Sequence, residues 1–288
     1  MNVVKEDFSE NQRKLKILYI TLMVVCVVVI LIAFIVQINQ ESDPNPGSGP
    51  SRLPEVSEDQ ISVYKQQFDE IFKNDVNYLK GNKYKINAYK INESEEVVYL
   101  GYQNKETSLN DYELDVNIPY INLETETADE FNKQIKEVFE QKTKSVLNTK
   151  GNKIIYSVYY SAYVSNNILS LVVKSKLKEG GNPQRYIVQT YNYDLIKHKK
   201  CTIDTMLDLK DITKKEAEQN IKKEIKTVQQ RVEELAKIGY TIYARDYTSD
   251  IYSISNVTEF FLGPDNALYI IYAYGNLNNT SEMDIVVM

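Results

Sequence analysis

The one histidine of the chain, His198, stands three residues before Cys201 in Lys197-His198-Lys199-Lys200-Cys201. A thiol beside an imidazole is the arrangement of a cysteine nucleophile, but nothing else in the chain supports a thiol enzyme. One histidine makes neither a His-rich zinc site nor a His-dependent triad, and no phosphate-binding glycine loop occurs. His198 reads as a solvated turn residue, and neither a cofactor nor a metal site is expected. Asp and Glu number 40; a pair of them could serve glycoside hydrolysis, yet none stands out by spacing. The remaining candidates bind rather than react. Tyr156, Tyr159, Tyr160 and Tyr163 crowd into one short stretch of a chain with 23 tyrosines and no tryptophan. Gly180-Gly181-Asn182-Pro183-Gln184 is the one loop with special backbone needs, which makes Gly180, Gly181, Asn182 and Gln184 the second candidate group.

Strand parity sorts the tyrosines. Side chains alternate faces along a strand, so Ile154, Tyr156, Val158, Tyr160, Ala162 and Val164 share one side, and Tyr159 and Tyr163 share the other with Ser157, Ser161 and Ser165. Asn166-Asn167 tolerates the positive φ of a two-residue hairpin turn. Pairing Val164 with Leu169, Ala162 with Leu171 and Tyr160 with Val173 makes the two apolar faces coincide, and a one-residue slip destroys that match. Tyr156 and Tyr160 are therefore expected in the core. Tyr159 and Tyr163 are left as a ligand platform, unless a helix covers their face.

The elements around this hairpin follow from capping and periodicity. Ser57-x-x-Gln60, Thr127-x-x-Glu130 and Thr213-x-x-Glu216 each read as a capping box opening a helix. The third carries the stripe Ile221, Ile225, Val228, Val232 and Leu235. Strands are predicted over 83–91, 97–103, 112–118, 186–195, 256–262, 267–274 and 284–287. Segregated strands with few helices predict an α+β fold of antiparallel or mixed sheets.

Further back lies the anchor. Residues 17–36 carry no charge, and about 20 apolar residues span a bilayer core. Arg13, Lys14 and Lys16 precede this stretch, whereas 37–43 hold no Lys or Arg; the positive-inside rule puts 1–16 in the cytoplasm and the remainder outside. Residues 37–56, with Pro44, Pro46, Pro50 and Pro54, read as a linker. Residues 1–36 hold four basic and three acidic side chains, so the −6 of the chain becomes −7 for the exterior part. That balance excludes a basic footprint for nucleic acid and suits a cationic partner. Cys26 lies within the membrane stretch and Cys201 outside it, so the exterior has no disulfide framework. The chain divides into a helix with strands over 57–109, a first α+β domain over 110–205 and a second over 206–288.

Ile118-Pro119, Asn132, Leu169-Ser170-Leu171, Gly180-Gly181, the run Thr190 to Leu195 and the closing run Phe260 to Tyr274 resemble a bacterial extracytoplasmic domain pair of unknown function. That pair forms the ectodomain of the sigma-V anti-sigma factor, a lysozyme receptor, and precedes the catalytic domain of a peptidoglycan deacetylase. The resemblance implies an extracellular module whose ligand is a lysozyme-like protein or cell-wall glycan (peptidoglycan). It brings neither known output. Sixteen residues before the membrane stretch are too few for a sigma-binding domain, and His198 alone cannot supply a deacetylase metal site. Asn182-Pro183 also departs from the Ala-His that often follows the two glycines. The expectation is a single-pass, noncatalytic surface binding or sensor protein. The alternatives are a wall-modifying enzyme using unidentified carboxylates and a structural partner of a signalling membrane protein.

Overall fold

A computed structural model describes residues 60, 63, 65–79, 90–274 and 282–288. The membrane stretch 17–36, the linker 37–56, residues 57–59, 61, 62 and 64 of the first helix and nearly all of the 83–91 strand lie outside the described residues. Among those described, no helix is long and apolar enough to cross a membrane.

The hairpin forms as its pattern requires. β4 (Ile154–Ser165) and β5 (Ile168–Glu179) pair with Val164 opposite Leu169, Ala162 opposite Leu171 and Tyr160 opposite Val173. Asn166 and Asn167 sit at φ 47° and 62° in the turn. Around it β1 (Asp75–Tyr78), β2 (Val98–Ser108), β3 (Tyr112–Ile121), β6 (Arg185–Asp194) and β7 (Lys199–Lys200) complete a seven-stranded sheet of order β2-β3-β4-β5-β6-β7. β1 joins one edge of β4 in parallel where β3 leaves it: β3 pairs with residues 154–158 and β1 with 161–164.

A parallel β3–β4 pair needs a crossover, and a helix supplies it. α1 (Glu126–Ile135) continues through a π turn (Lys136–Glu140) into α2 (Gln141–Leu147). Ala128, Phe131, Ile135, Phe139 and Val146 pack on the inner sheet face, against Tyr156, Tyr160, Leu171 and Tyr193. Tyr156 and Tyr160 are core, as parity predicts. The start of α1 corrects the expected cap. Thr125, not Thr127, accepts from Ala128 N–H at 3.3 Å. The hydroxyl of Thr125 also meets buried Tyr193 at 2.8 Å, whereas the Thr127 hydroxyl donates to the His198 carbonyl at 3.4 Å. Asn132 clamps the end of β3, accepting from Ile121 N–H at 2.7 Å and donating to its carbonyl at 2.9 Å.

The C-terminal part builds a second sheet from β8 (Glu259–Leu262), β9 (Leu268–Tyr274) and β10 (Glu282–Val287), in the order β10-β9-β8. One of its faces packs on α3 (Ile203–Leu209) and α4 (Lys214–Lys237) through Leu262, Ile270, Met206, Ile221 and Ile225. The expected Thr213–Glu216 capping box opens α4. The other face lies on the outer face of the seven-stranded sheet, with Tyr163, Val172 and Val188 meeting Phe261, Tyr269 and Ile271. The order is helices, sheet, sheet, helices, and residues 50–288 form one compact unit. The divide expected at 205/206 falls inside α3.

This corrects the expectation for Tyr163. Its face is covered at that point by a sheet rather than a helix, and Tyr163 is 5% exposed, stacked on Phe261 with centroids 6.3 Å apart. What holds the sheets together is polar. β8 pairs with β9 by one edge, leaving the main chain of Phe260 and Leu262 to find partners elsewhere. Ser170 Oγ accepts from Leu262 N–H at 3.1 Å, Thr190 Oγ1 from Phe260 N–H at 3.0 Å, and Asn192 Nδ2 donates to the Phe260 carbonyl at 2.7 Å. Ser170 also donates to Asn192 Oδ1 at 2.8 Å, so no polar atom of this rung is idle. Ser170→Ala strands both Leu262 N–H and Asn192 Oδ1 in a dry interface. We expect it to cost about 1–3 kcal/mol, read as a lowered midpoint in urea unfolding with unchanged slope.

Candidate functional site

The three-stranded sheet covers only part of the outer face. Segment 65–79 runs along the boundary: Lys65 pairs with Glu224 of α4, Phe68 lies 6.0 Å from Tyr269, and the Ile71 carbonyl accepts from Ser161 Oγ. Beyond this strap no described element covers the outer face. One rung of register crosses it, Lys105–Asp115–Ser157–Lys176–Tyr186, on β2, β3, β4, β5 and β6 in turn. At about 4.8 Å per strand the rung is about 19 Å wide. Tyr159 stands on the next rung, opposite Lys174.

The hydroxyl ends of both rings lie among polar groups. The Tyr159 phenol is pushed up to about 12, by burial first and then by the nearby Asp115 carboxylate. Asp115 also takes Lys105 at 3.1 Å and Asn117 Nδ2 at 3.3 Å, and Asn117 Oδ1 accepts from Gln103 Nε2 at 2.9 Å. The Tyr186 hydroxyl accepts from Gln184 Nε2, and its ring lies 5.2 Å from Lys174 Nζ. The result is a half-exposed platform of two rings with amide, hydroxyl, carboxylate and ammonium groups between and beside them. Such a surface can stack on and hydrogen-bond a sugar chain.

The sequence-predicted residues divide accordingly. Tyr159 belongs to the platform and Tyr163 lies buried under the second sheet. Gln184 reaches it through Tyr186. Gly180, at φ 50°, Gly181 and Asn182 form the β5–β6 turn, where the Asn182 carbonyl accepts from Lys178. That turn lies six residues along β5 from the Tyr159 rung, about 20 Å away, so the structure does not join the glycines to the tyrosines. Tyr186 was missed. Its strand was read correctly, but only the β5–β6 register puts it beside Lys176, and a long loop does not specify that register.

The groups that could do chemistry are otherwise engaged. His198 Nδ1 meets Tyr193 OH at 3.0 Å, while buried Cys201 packs with Ile168 and Met206. Burial, with Asp194 next, pushes the Cys201 thiol up to about 12, far from a thiolate at neutral pH. Glu140 is buried at the end of the π turn, and Tyr120 at 2.8 Å and Lys144 at 2.6 Å use its oxygens. Tyr120's ring lies on Gly101, where a Cβ would come within 2.4 Å of it. Among the described residues no cluster of three or more His, Cys, Asp or Glu could hold a metal. No family model matches the chain, and no curated protein matches it. Among solved structures it is similar to a DUF3298 family protein from Pseudomonas aeruginosa, 11% identical with a TM-score of 0.37, over 66% of this chain and 86% of that one. It is also similar to a DUF3298 family member from Bacteroides fragilis, 16% identical with a TM-score of 0.32, over 61% and 80%. Neither likeness carries an argument about ligand or activity.

Glu259 is the described carboxyl that burial raises, to about 7, against the pull of its hydrogen bonds from Thr190 N–H at 2.6 Å and Oγ1 at 2.9 Å. It lies in the junction between the sheets, so a raised carboxyl here acts on stability. The fold favours its neutral form, so stability present below the ordinary pKa is lost as pH rises through about 7. Glu259→Gln is expected to unfold with nearly the same free energy at pH 5 and 8, whereas the unaltered chain loses on the order of 1–3 kcal/mol over that interval. Urea titrations at the two pH values check it.

Proposed function

We propose that the chain is a noncatalytic binding protein of the bacterial cell surface, anchored by residues 17–36 with 1–16 in the cytoplasm and 37–288 outside, and that it holds wall glycan on the Tyr159–Tyr186 face. The carrying observation is that face: the rings of Tyr159 and Tyr186, the second tied by Gln184, flanked by amides and hydroxyls on one sheet. The resemblance to the lysozyme-receptor ectodomain and to the module preceding a peptidoglycan deacetylase supports a wall ligand. A cationic lysozyme-like protein is the second reading, favoured by the net charge of −6. On the open face it would meet Lys105, Lys176 and Lys178, so it belongs on another surface.

Co-sedimentation of the full-length chain, in detergent, with purified peptidoglycan tests this reading. Binding is expected without release of soluble fragments. Changing Tyr159 and Tyr186 together to Ser removes two ring contacts worth about 0.5–1.5 kcal/mol each and weakens binding about tenfold, with the melting temperature nearly unchanged. Released fragments would overturn the noncatalytic half. Full binding by the double variant would remove the platform. Heat on adding lysozyme that fades with salt would favour the second reading.

A further inference from the structure

The outer face of β5 carries Lys174, Lys176 and Lys178 on alternate residues, in a chain with an excess of acidic groups. Like charges in a row on one strand face repel, so each needs a counterpart. Lys174 has several: it pairs with Asp69, and its ammonium lies 5.6, 5.1 and 5.2 Å from the rings of Phe68, Phe72 and Tyr186. Lys178 donates to the Asn182 carbonyl. The nearby carboxylates are also taken, Glu179 by Lys142 at 2.9 Å and by Arg185, and Asp115 by Lys105 at 3.1 Å. Lys176 is exposed, with Ser157 on one side and Tyr186 on the other. No hydrogen bond or ion pair engages it among the described residues.

We propose that Lys176 is the anion-recognition point of this face, and that the glycan it serves carries carboxylates. The inference rests on the glycan reading above and narrows it. Peptidoglycan bears carboxylates on its stem peptides, and on the lactyl groups of muramic acids that carry no peptide, whereas chitin presents a similar amino-sugar chain without them. A chain lying along the rung from Tyr186 toward Asp115 sets its sugar faces on the rings. A carboxylate beside those sugars then meets the ammonium of the lysine row that no described group engages. Because Asp69 and the aromatic rings hold Lys174, it cannot move across to neutralise the ligand in place of Lys176.

The test compares two polymers and three forms of the full-length chain in detergent. Teichoic-acid-free peptidoglycan and chitin beads are each titrated with the unaltered chain, Lys176→Gln and, as a charge control on α4, Lys215→Gln. The unaltered chain and Lys215→Gln are expected to hold peptidoglycan several-fold more tightly than chitin, with the margin shrinking in salt. Lys176→Gln is expected to lose that margin while keeping its chitin affinity. Equal affinity of the unaltered chain for both polymers overturns the proposal, as does a margin that survives in Lys176→Gln. If neither polymer is held, the glycan reading itself fails and this inference falls with it. Those outcomes separate the two failures.

Discussion

A strand that is buried with one bare edge has main-chain donors and acceptors that must meet partners, and Glu259–Leu262 is in that position. The seven-stranded sheet answers with side chains. Ser170, Thr190 and Asn192 stand on its outer face where the amides of Phe260 and Leu262 and the Phe260 carbonyl arrive. Those rungs fix where the smaller sheet sits. Past Val188, toward the other end of the same strands, the outer-face residues are Tyr186, Lys174 and Lys176, which offer no such rung. The cover stops there and the strap of residues 65–79 closes the boundary. Thus the polar rungs that bury Tyr163 also leave Tyr159 open.

Apolar packing follows the rungs. Tyr163, Phe261, Tyr269 and Phe68 form a chain of rings, with Phe261 and Tyr269 stacked at 4.7 Å. Each ring buries a large area, but rings alone would tolerate sliding. The short polar contacts do not. A ring already tied, as Tyr186 is by Gln184, would lose little freedom if a ligand arrived.

How far the sequence could be read follows from the range of each interaction. The hairpin register was legible because a two-residue Asn-Asn turn and matching apolar faces allow one answer. The Thr213 cap was legible because it closes within four residues. Thr125 was not, since its advantage over Thr127 comes from Tyr193, far along the chain. Parity put Tyr159 and Tyr163 on one face but carried no information about what covers that face. Ser170 and Asn192 look like ordinary outward polar residues until a second sheet stands on them. Several stretches that carry the family resemblance, those with Asn132, Ser170, Thr190 and Asn192, are the ones that tie main chain to main chain across elements. Their pattern was visible in the sequence and their task was not.

One outer sheet face is divided, covered at Tyr163 and partly exposed at Tyr159 and Tyr186. Hydroxyl-radical footprinting of the full-length chain, read by mass spectrometry with and without soluble peptidoglycan fragments, tests that division most directly. Tyr159 and Tyr186 are predicted to be labelled in the free chain and protected by the fragments, with Tyr163 unlabelled in both. Labelling of Tyr163 in the free chain, or protection that spares Tyr159 and Tyr186, would contradict it.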